Sequence, residues 1–180
     1  LLSAEFDYFY KYTYDILTSV GSVFAPSLAG NYPSVDNRGK FDNRGIELVL
    51  RHTNRIGDFH YNVNANLTWA HNRIISRTES AGTLPWQSRL GSSIGDVWGF
   101  KTAGLYQTQE ELDNMPHPIN TTPRLGDIRY VDINGDGKIT AEDQVKIARN
   151  QRPEMMFALN AQANWRGFDL SFQLQGAALC

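Results

Sequence analysis

Strict alternation of apolar and polar residues is the strongest pattern along this chain. Over residues 59–70 the polar positions are mostly asparagine, and the positions between them are apolar or aromatic: Phe59, Tyr61, Val63, Ala65, Leu67 and Trp69. Side chains two positions apart share one face of a β-strand. The segment therefore predicts a strand that separates an apolar environment from a polar one.

The same alternation recurs in five other places, at residues 2–16, 46–52, 97–106, 157–165 and 168–175. The last two segments are separated by Arg166-Gly167, which predicts a tight hairpin. We therefore expect about six strands, the segment 97–106 being the weakest. Several span more residues than the five or six that are typical of soluble proteins, and they approach the roughly 9–11 that a tilted strand needs to cross a bilayer.

The connections between these segments are of two kinds. Those at 56–58 and 166–167 are short, whereas those at about 17–43, 75–96 and 107–153 are long and rich in Gly, Pro, Ser, Asn and Asp. Short turns at one rim and long loops at the other are typical of outer-membrane barrels. The pattern predicts an all-β fold whose antiparallel strands form part of a large transmembrane β-barrel with long extracellular loops.

Aromatic residues near the ends of the apolar faces support this prediction, because barrels carry aromatic girdles at both membrane interfaces. They are Tyr8, Tyr10, Tyr12, Tyr14, Trp69 and Trp165. The polar faces would then line a wet lumen, through residues such as Asn62, Asn64, Asn66, Asn160 and Gln162. Alternation also marks half-buried strands in a soluble antiparallel sandwich, so that fold stays open.

Composition excludes several other classes of protein. The net charge is −2, from 17 basic and 19 acidic residues, which argues against a nucleic-acid partner. There is no apolar run of roughly 18 residues, so no transmembrane helix is expected. Cys180 is the single cysteine, which excludes an internal disulfide and a cysteine-based zinc site. The four histidines form no His-Glu-x-x-His motif, and we expect no enzyme.

Residues 132–143 follow the template of a calcium-binding loop. Oxygen ligands for a hard cation recur at alternate positions, and a glycine allows the sharp turn at the sixth position. The predicted ligands are Asp132, Asn134, Asp136, the carbonyl of Lys138, Thr140 and Asp143. Asp143 stands where glutamate is usual, which lowers the expected affinity for Ca²⁺.

The segments that flank this loop differ from those of an EF-hand. Ile128 and Tyr130 alternate like a strand, and only Ala141 to Ala148 resembles an exiting helix. The alternative is that Asn134-Gly135 and Asp136-Gly137 form bare turns with solvated acids. Trp86 and Trp98, in or beside a long loop, would either stack on a sugar or pack their own loop.

Three runs in fixed order carry a family resemblance: GDVWGFKTAGLYQTQEEL, PRLGDIRYVDINGDGKITAEDQVKI and RPEMMFALNAQANWRGFDLSFQLQG. They resemble the C-terminal barrel part of SusC/RagA-type TonB-dependent transporters. The upstream runs FDYFYKYTYDIL and FDNRGIELVLRHTNRIGDFHYNVNANLTWAHNRI resemble earlier barrel strands of the same family. The resemblance covers nearly all of residues 1–180 and makes them a partial barrel with a long loop at 107–153.

The resemblance implies an importer in the outer membrane of a Gram-negative cell, surrounded by lipid. Such proteins take up oligosaccharides or peptides together with a SusD-like surface lipoprotein and draw energy from TonB. We expect the plug, the TonB box and the final barrel strand to lie outside these 180 residues. Two other hypotheses stay open. One is a secreted β-sandwich with a calcium-stabilised loop that binds carbohydrate, and the other, with little support, is a glycoside hydrolase fragment.

Overall fold

The computed structural model describes residues 1–19 and 35–180. One short helix, α1 (Gln109–Asn114), lies among nine strands in this part of the chain. The strands are β1 (Leu2–Ser19), β2 (Val35–Ile56), β3 (Phe59–Ser76), β4 (Val97–Phe100), β5 (Thr102–Leu105), β6 (Ile128–Tyr130), β7 (Gln144–Ala148), β8 (Met155–Trp165) and β9 (Phe168–Ala178). No helix among the described residues has both the length and the apolar character needed to span a membrane.

Five of these strands form one antiparallel sheet in the order β1-β2-β3-β8-β9, which we call the wall. Its hairpin turns, at Gly57-Asp58 and Arg166-Gly167, lie at the same rim. Arg166 and Gly167 have φ angles of 47° and 86°, and positive φ at both central residues matches the twist of the flanking strands. The long connections leave from the opposite rim, so the predicted arrangement of short turns and long loops is confirmed.

The pairing register keeps the two faces of the wall separate across all five strands. One row runs Ala4, Leu50, Ala65, Leu159 and Leu174, and the next runs Glu5, Val49, Asn66, Ala158 and Gln175. Because alternate side chains point to opposite faces, one face is predominantly apolar and the other mostly polar. The wall does not curl round to close on itself, and β1 and β9 form its two edges.

The apolar face is not covered by a second sheet within residues 1–19 and 35–180. Phe6 is 65% exposed, Tyr8 62% and Phe168 76%. The only buried apolar side chains in the described part of the chain, Tyr106 and Ile139, lie outside the wall. The soluble sandwich considered above is therefore not formed, and the face needs a lipid environment to be stable.

The height of this apolar face matches a bilayer. Ten residue steps separate Phe59, near the turn rim, from Trp69, or about 33 Å at about 3.3 Å per residue. At a tilt of about 45° this is roughly 23 Å, close to the roughly 25 Å apolar band of outer-membrane barrels. Aromatic side chains stand at both limits, as the girdle prediction requires.

A single aromatic residue, Phe9, interrupts the polar face of β1 and is explained by its neighbour across the strand pair. Phe9 lies opposite Gly45, and a Cβ atom added at Gly45 would lie 2.5 Å from Cζ of the Phe9 ring. The ring thus covers the space that a side chain would fill at Gly45. This contact shields the strand at a position where glycine offers no packing surface.

Residues 77–154 form an excursion from the wall between β3 and β8, which we call the insert. It holds two two-stranded sheets, β4-β7 and β5-β6, and helix α1. The segment 97–106, predicted as a sixth barrel strand, forms β4 and β5 there, so the wall has five strands. Its long loop was predicted at 107–153, and that segment carries α1, β6 and β7.

Two other boundaries differ from the prediction. Residues 141–148 form a 3₁₀ turn followed by β7 instead of an exiting helix, because β7 pairs with β4 and gains a ladder of backbone hydrogen bonds. The first long connection, predicted at 17–43, is shortened by β1 and β2, and residues 20–34 of it lie outside the described residues. Strand character at Ile128 and Tyr130 is confirmed as β6.

The two faces of the wall predict opposite accessibility at neighbouring positions. Nitroxide labels at Ala65 or Ala161, on the apolar face, are expected to collide with O₂ dissolved in lipid. Labels at the adjacent Asn64 or Asn160 are expected to show low O₂ accessibility, because they face away from lipid. The measurement is power-saturation EPR on the full-length protein in vesicles, with native cysteines, including Cys180, replaced by serine. Equal O₂ accessibility at the paired positions would contradict the assignment of faces.

Candidate functional site

The polar face of the wall is lined mainly by amide side chains and is the first candidate site. Asn62, Asn64 and Asn66 of β3 lie on the same face as Asn160 and Gln162 of β8, and Asn62 is directly opposite Gln162. On the same face, Arg51 Nη1 donates to Glu5 Oε1 at 2.7 Å. All five predicted lumen residues therefore meet on one continuous hydrogen-bonding surface.

One polar pair on the apolar face lies within hydrogen-bonding distance. The side chain of His52 lies beside Tyr61, whose hydroxyl oxygen is 3.2 Å from His52 Nδ1. Their rings are 5.4 Å apart. Pairing a polar group on a face that meets lipid removes most of the cost of its desolvation, so the face remains compatible with a membrane.

The second candidate site is the calcium-type loop, residues 132–143, in the insert. Its acidic side chains accept hydrogen bonds from the backbone of the loop. Asp132 Oδ1 accepts from Gly135 N at 2.6 Å, and its Oδ2 accepts from Gly137 N at 2.8 Å. Asp136 Oδ1 accepts from Lys138 N at 2.8 Å. Gly135 and Gly137 have φ angles of 76° and 80°, which glycine adopts without strain.

Asp143 is the centre of this loop and is completely buried. Its Oδ1 accepts from Ile133 N at 2.8 Å and from Asn134 N at 3.4 Å, and its Oδ2 accepts from Thr140 N at 2.8 Å. Burial raises the pKa of Asp143, but these backbone N–H groups outweigh burial and hold the pKa below its usual value. The buried carboxylate therefore stays charged and ties the two ends of the loop together.

The predicted calcium ligands are brought close together, but not as a bare cage of carboxylates. Within the described residues, no three His, Cys, Asp or Glu side chains are arranged to hold a metal ion. The Thr140 hydroxyl accepts from Glu142 N at 3.2 Å, and Asn134 Oδ1 accepts from Asp136 N at 3.1 Å. Asp132 and Asp143 nevertheless both accept from backbone N–H groups of residues 133–137, which brings the two acids to the same turn of the loop.

A strap over the exit of this loop was not predicted from the sequence. It is the 3₁₀ turn Pro85–Gln87, whose side chains reach the loop's exit turn. Trp86 Nε1 donates to Glu142 O at 2.8 Å, and Gln87 Nε2 donates to Ala141 O at 2.6 Å. More than fifty residues separate the partners, so no local pattern signals the contact. Trp86 here packs its own insert, as one of the two alternatives proposed.

The guanidinium of Arg89 lies 5.3 Å from the centre of the Trp98 ring. Such a cation–π contact covers one face of the indole. Trp98 therefore also packs its own loop, and one face of its ring is no longer free to stack on a sugar.

The geometry of Asp143 predicts a specific sensitivity to its charge. In Asp143→Asn, one acceptor oxygen becomes an NH₂ donor that faces backbone donors, so the loop should open more often. Amide hydrogen exchange of peptides covering residues 133–140 is expected to rise by about tenfold or more, since hydrogen bonds to a charged group contribute about 1.5–3 kcal/mol. Exchange is measured by mass spectrometry on the full-length protein without added calcium.

Glu142→Gln is the matched control, because the exposed side chain of Glu142 accepts only a 3.2 Å hydrogen bond, from the side chain of Asn134. It should leave exchange in residues 133–140 almost unchanged. Equal exchange in the two variants would show that Asp143 does not hold the loop.

The chain resembles proteins of known class over nearly its whole length, although no protein-family model matches it. It is 28% identical to TonB-dependent receptor P26 of Formosa agariphila, covering 96% of this chain and 18% of that protein. It is 24% identical to TonB-dependent receptor SusC of Bacteroides thetaiotaomicron, covering 98% of this chain and 17% of that protein. The chain thus spans less than a fifth of the length of these two relatives.

Solved structures with the same arrangement of strands are those of the RagAB peptide transporter. One matches with a TM-score of 0.62 at 19% identity, covering 99% of this chain and 19% of that chain. The closed-closed state of the RagAB peptide importer matches with a TM-score of 0.59 at 19% identity and the same coverage. At this identity the likeness establishes the fold, an antiparallel barrel wall. Together with the named relatives, it shows that the chain is similar to a segment of SusC/RagA-type TonB-dependent receptors.

Proposed function

We propose that the chain is a wall segment of an outer-membrane importer that takes up nutrients with energy supplied through TonB. The single observation that carries this proposal is the separation of faces across five strands. An uncovered apolar face of bilayer height is backed by a continuous surface of amides. A wall of this kind holds a wet passage inside a membrane without providing any covalent chemistry.

The proposed substrates are oligosaccharides or peptides. Amide side chains both donate and accept hydrogen bonds, which suits sugar hydroxyls and peptide groups equally. The name of the RagAB peptide importer supports a peptide. We further propose a SusD-like surface lipoprotein as partner, on the strength of the family resemblance, with the insert at the loop rim as the part nearest to it.

A carbohydrate-binding sandwich is less well supported, because such a module requires a buried core between two sheets. Tyr106 and Ile139 are the only buried apolar side chains among the described residues. The hydrolase alternative has no supporting feature in the site, and the relatives named above are receptors and transporters.

The transport proposal predicts growth that depends on both TonB and this protein. A Gram-negative strain that needs the full-length protein for growth on a given oligosaccharide or peptide should stop growing when either gene is deleted. The measurement compares growth on candidate oligosaccharides and on peptides, with fractionation of the outer membrane. Growth on the free monosaccharide or amino acid is the control and should not change. Growth that is independent of TonB, or absence of the protein from the outer membrane, would contradict the proposal.

We also propose that the loop 132–143 binds Ca²⁺, through Asp132, Asn134, Asp136, the carbonyl of Lys138, Thr140 and Asp143. A carboxylate oxygen has more than one lone pair, so these acids can keep their backbone hydrogen bonds while they contact an ion. Asp132 and Asp143 accept from N–H groups of the same short stretch of backbone, residues 133–137, and a divalent cation would give both carboxylates a further positive partner. The ion would stiffen the insert without taking part in any reaction.

Calorimetric titration of the full-length protein, first stripped with a chelator, tests this second proposal. We expect heat from calcium binding at millimolar concentration or below, and at least a tenfold weaker affinity for Asp132→Asn, which loses charge at the first ligand position. Asp113→Asn, in helix α1 outside the loop, is the control. The absence of heat at millimolar calcium would rule out the site, and equal affinity in both variants would place the ion elsewhere.

A further inference from the structure

The lipid-facing side of the wall changes abruptly from apolar to charged at one level. The last apolar row contains Tyr8, Ile46, Trp69 and Met155. The next row up, toward the loop rim, contains Tyr10, Arg44 and His71, and the row above it Tyr12, Asp42 and Arg73. Because the alternation between residues 41 and 56 is unbroken, these charged residues lie on the same face as the apolar band. They therefore meet the level of the lipid headgroups.

A groove of about 400 Å³ opens at this level between β3 and the insert. Its floor contains Trp69 and Leu179, and its cationic or imidazole side chains are His71, Lys146 and Arg149. The rings of Trp69 and His71 are stacked, with an interplanar angle of 8°. The groove thus joins the upper end of the apolar band to a set of hydrogen-bond donors.

The two carboxylates that line the groove are already engaged. Asp96 Oδ2 lies 2.6 Å from Lys146 Nζ, and Glu154 Oε1 lies 2.8 Å from His71 Nδ1. Arg149 makes no ion pair within residues 1–19 and 35–180, and neither does Arg44, directly opposite His71 on β2. In that same part of the structure, the buried Nε atom of Arg44 has no acceptor. Arg149, which lines the groove, and Arg44, which lies beside it across from His71, are therefore the two guanidinium groups left to offer an anion.

We propose that this groove binds the phosphate group of an outer-leaflet lipid, with Arg44 and Arg149 as its donors. Guanidinium groups suit phosphate because their donors match its geometry in pairs. The acyl chains of the same lipid would lie along the apolar band below Trp69. This position favours a lipid over a free anion, since both parts of the molecule are matched within one stretch of wall. The inference rests on the proposed place of the protein in the outer membrane.

Native mass spectrometry of the full-length protein in detergent tests the proposal, with phosphorylated lipid A as the probe. We expect the wild type to retain the lipid, and Arg44→Gln/Arg149→Gln to bind it at least tenfold more weakly, because two charge-assisted contacts are lost. Lys11→Gln removes one positive charge from the polar face of β1 and should leave lipid binding unchanged. A chelator is present throughout, so that no divalent cation bridges phosphate to Glu154.

Two further arms separate the possible outcomes. Dephosphorylated lipid A should bind wild type and double variant equally weakly, whereas inorganic phosphate at millimolar concentration should not displace the phosphorylated lipid. Displacement by inorganic phosphate would reduce the groove to a small-anion site, and unchanged binding in the double variant would overturn the proposal. If the protein is absent from outer-membrane fractions, the proposed function fails. If it is present there but the double variant still binds lipid A normally, only this inference fails.

Discussion

The structure depends on the constraint that a β-strand presents alternate side chains to opposite faces while its backbone must be paired on both sides. In the wall, pairing holds the five strands in register from the turn rim to the bulges at Thr13/Ile16 of β1 and Lys40/Phe41 of β2, so each residue in that stretch faces one environment. A slip of one residue would move every apolar side chain to the polar face. A single-layered sheet also cannot bury its own apolar face, so its stability comes from lipid on one side and from further strands at its edges.

Two residues that break the alternation show how this constraint acts, because each has a local partner. Phe9 stands on the polar face and covers Gly45, where a side chain would not fit. His52 stands on the apolar face and lies within hydrogen-bonding distance of the Tyr61 hydroxyl. In both cases the misplaced side chain contacts a residue on the neighbouring strand, so the residues around it keep their alternation. The wall therefore tolerates individual misplaced residues without losing the separation of its faces.

The insert is stabilised by a different kind of contact from the wall. Its order comes from charged and polar contacts around buried groups more than from an extended apolar core, with Asp143 accepting three backbone hydrogen bonds. It is joined to the wall by similar contacts, since Asn72 Oδ1 accepts from Ser93 Oγ at 3.0 Å and from Ile94 N at 2.8 Å.

The sequence by itself determined the strand class, the two faces, the short turns and the loop motif, because each is encoded by spacing of two residues or by a local run such as Asn134-Gly135. It did not determine that residues 97–106 lie outside the wall, since β4 and β5 pair with strands of the insert that are distant in sequence. The contact of Trp86 with Glu142 and the cation-rich groove beside Trp69 were likewise decided only by the tertiary structure. Both join residues more than fifty positions apart, and no local periodicity records such a meeting.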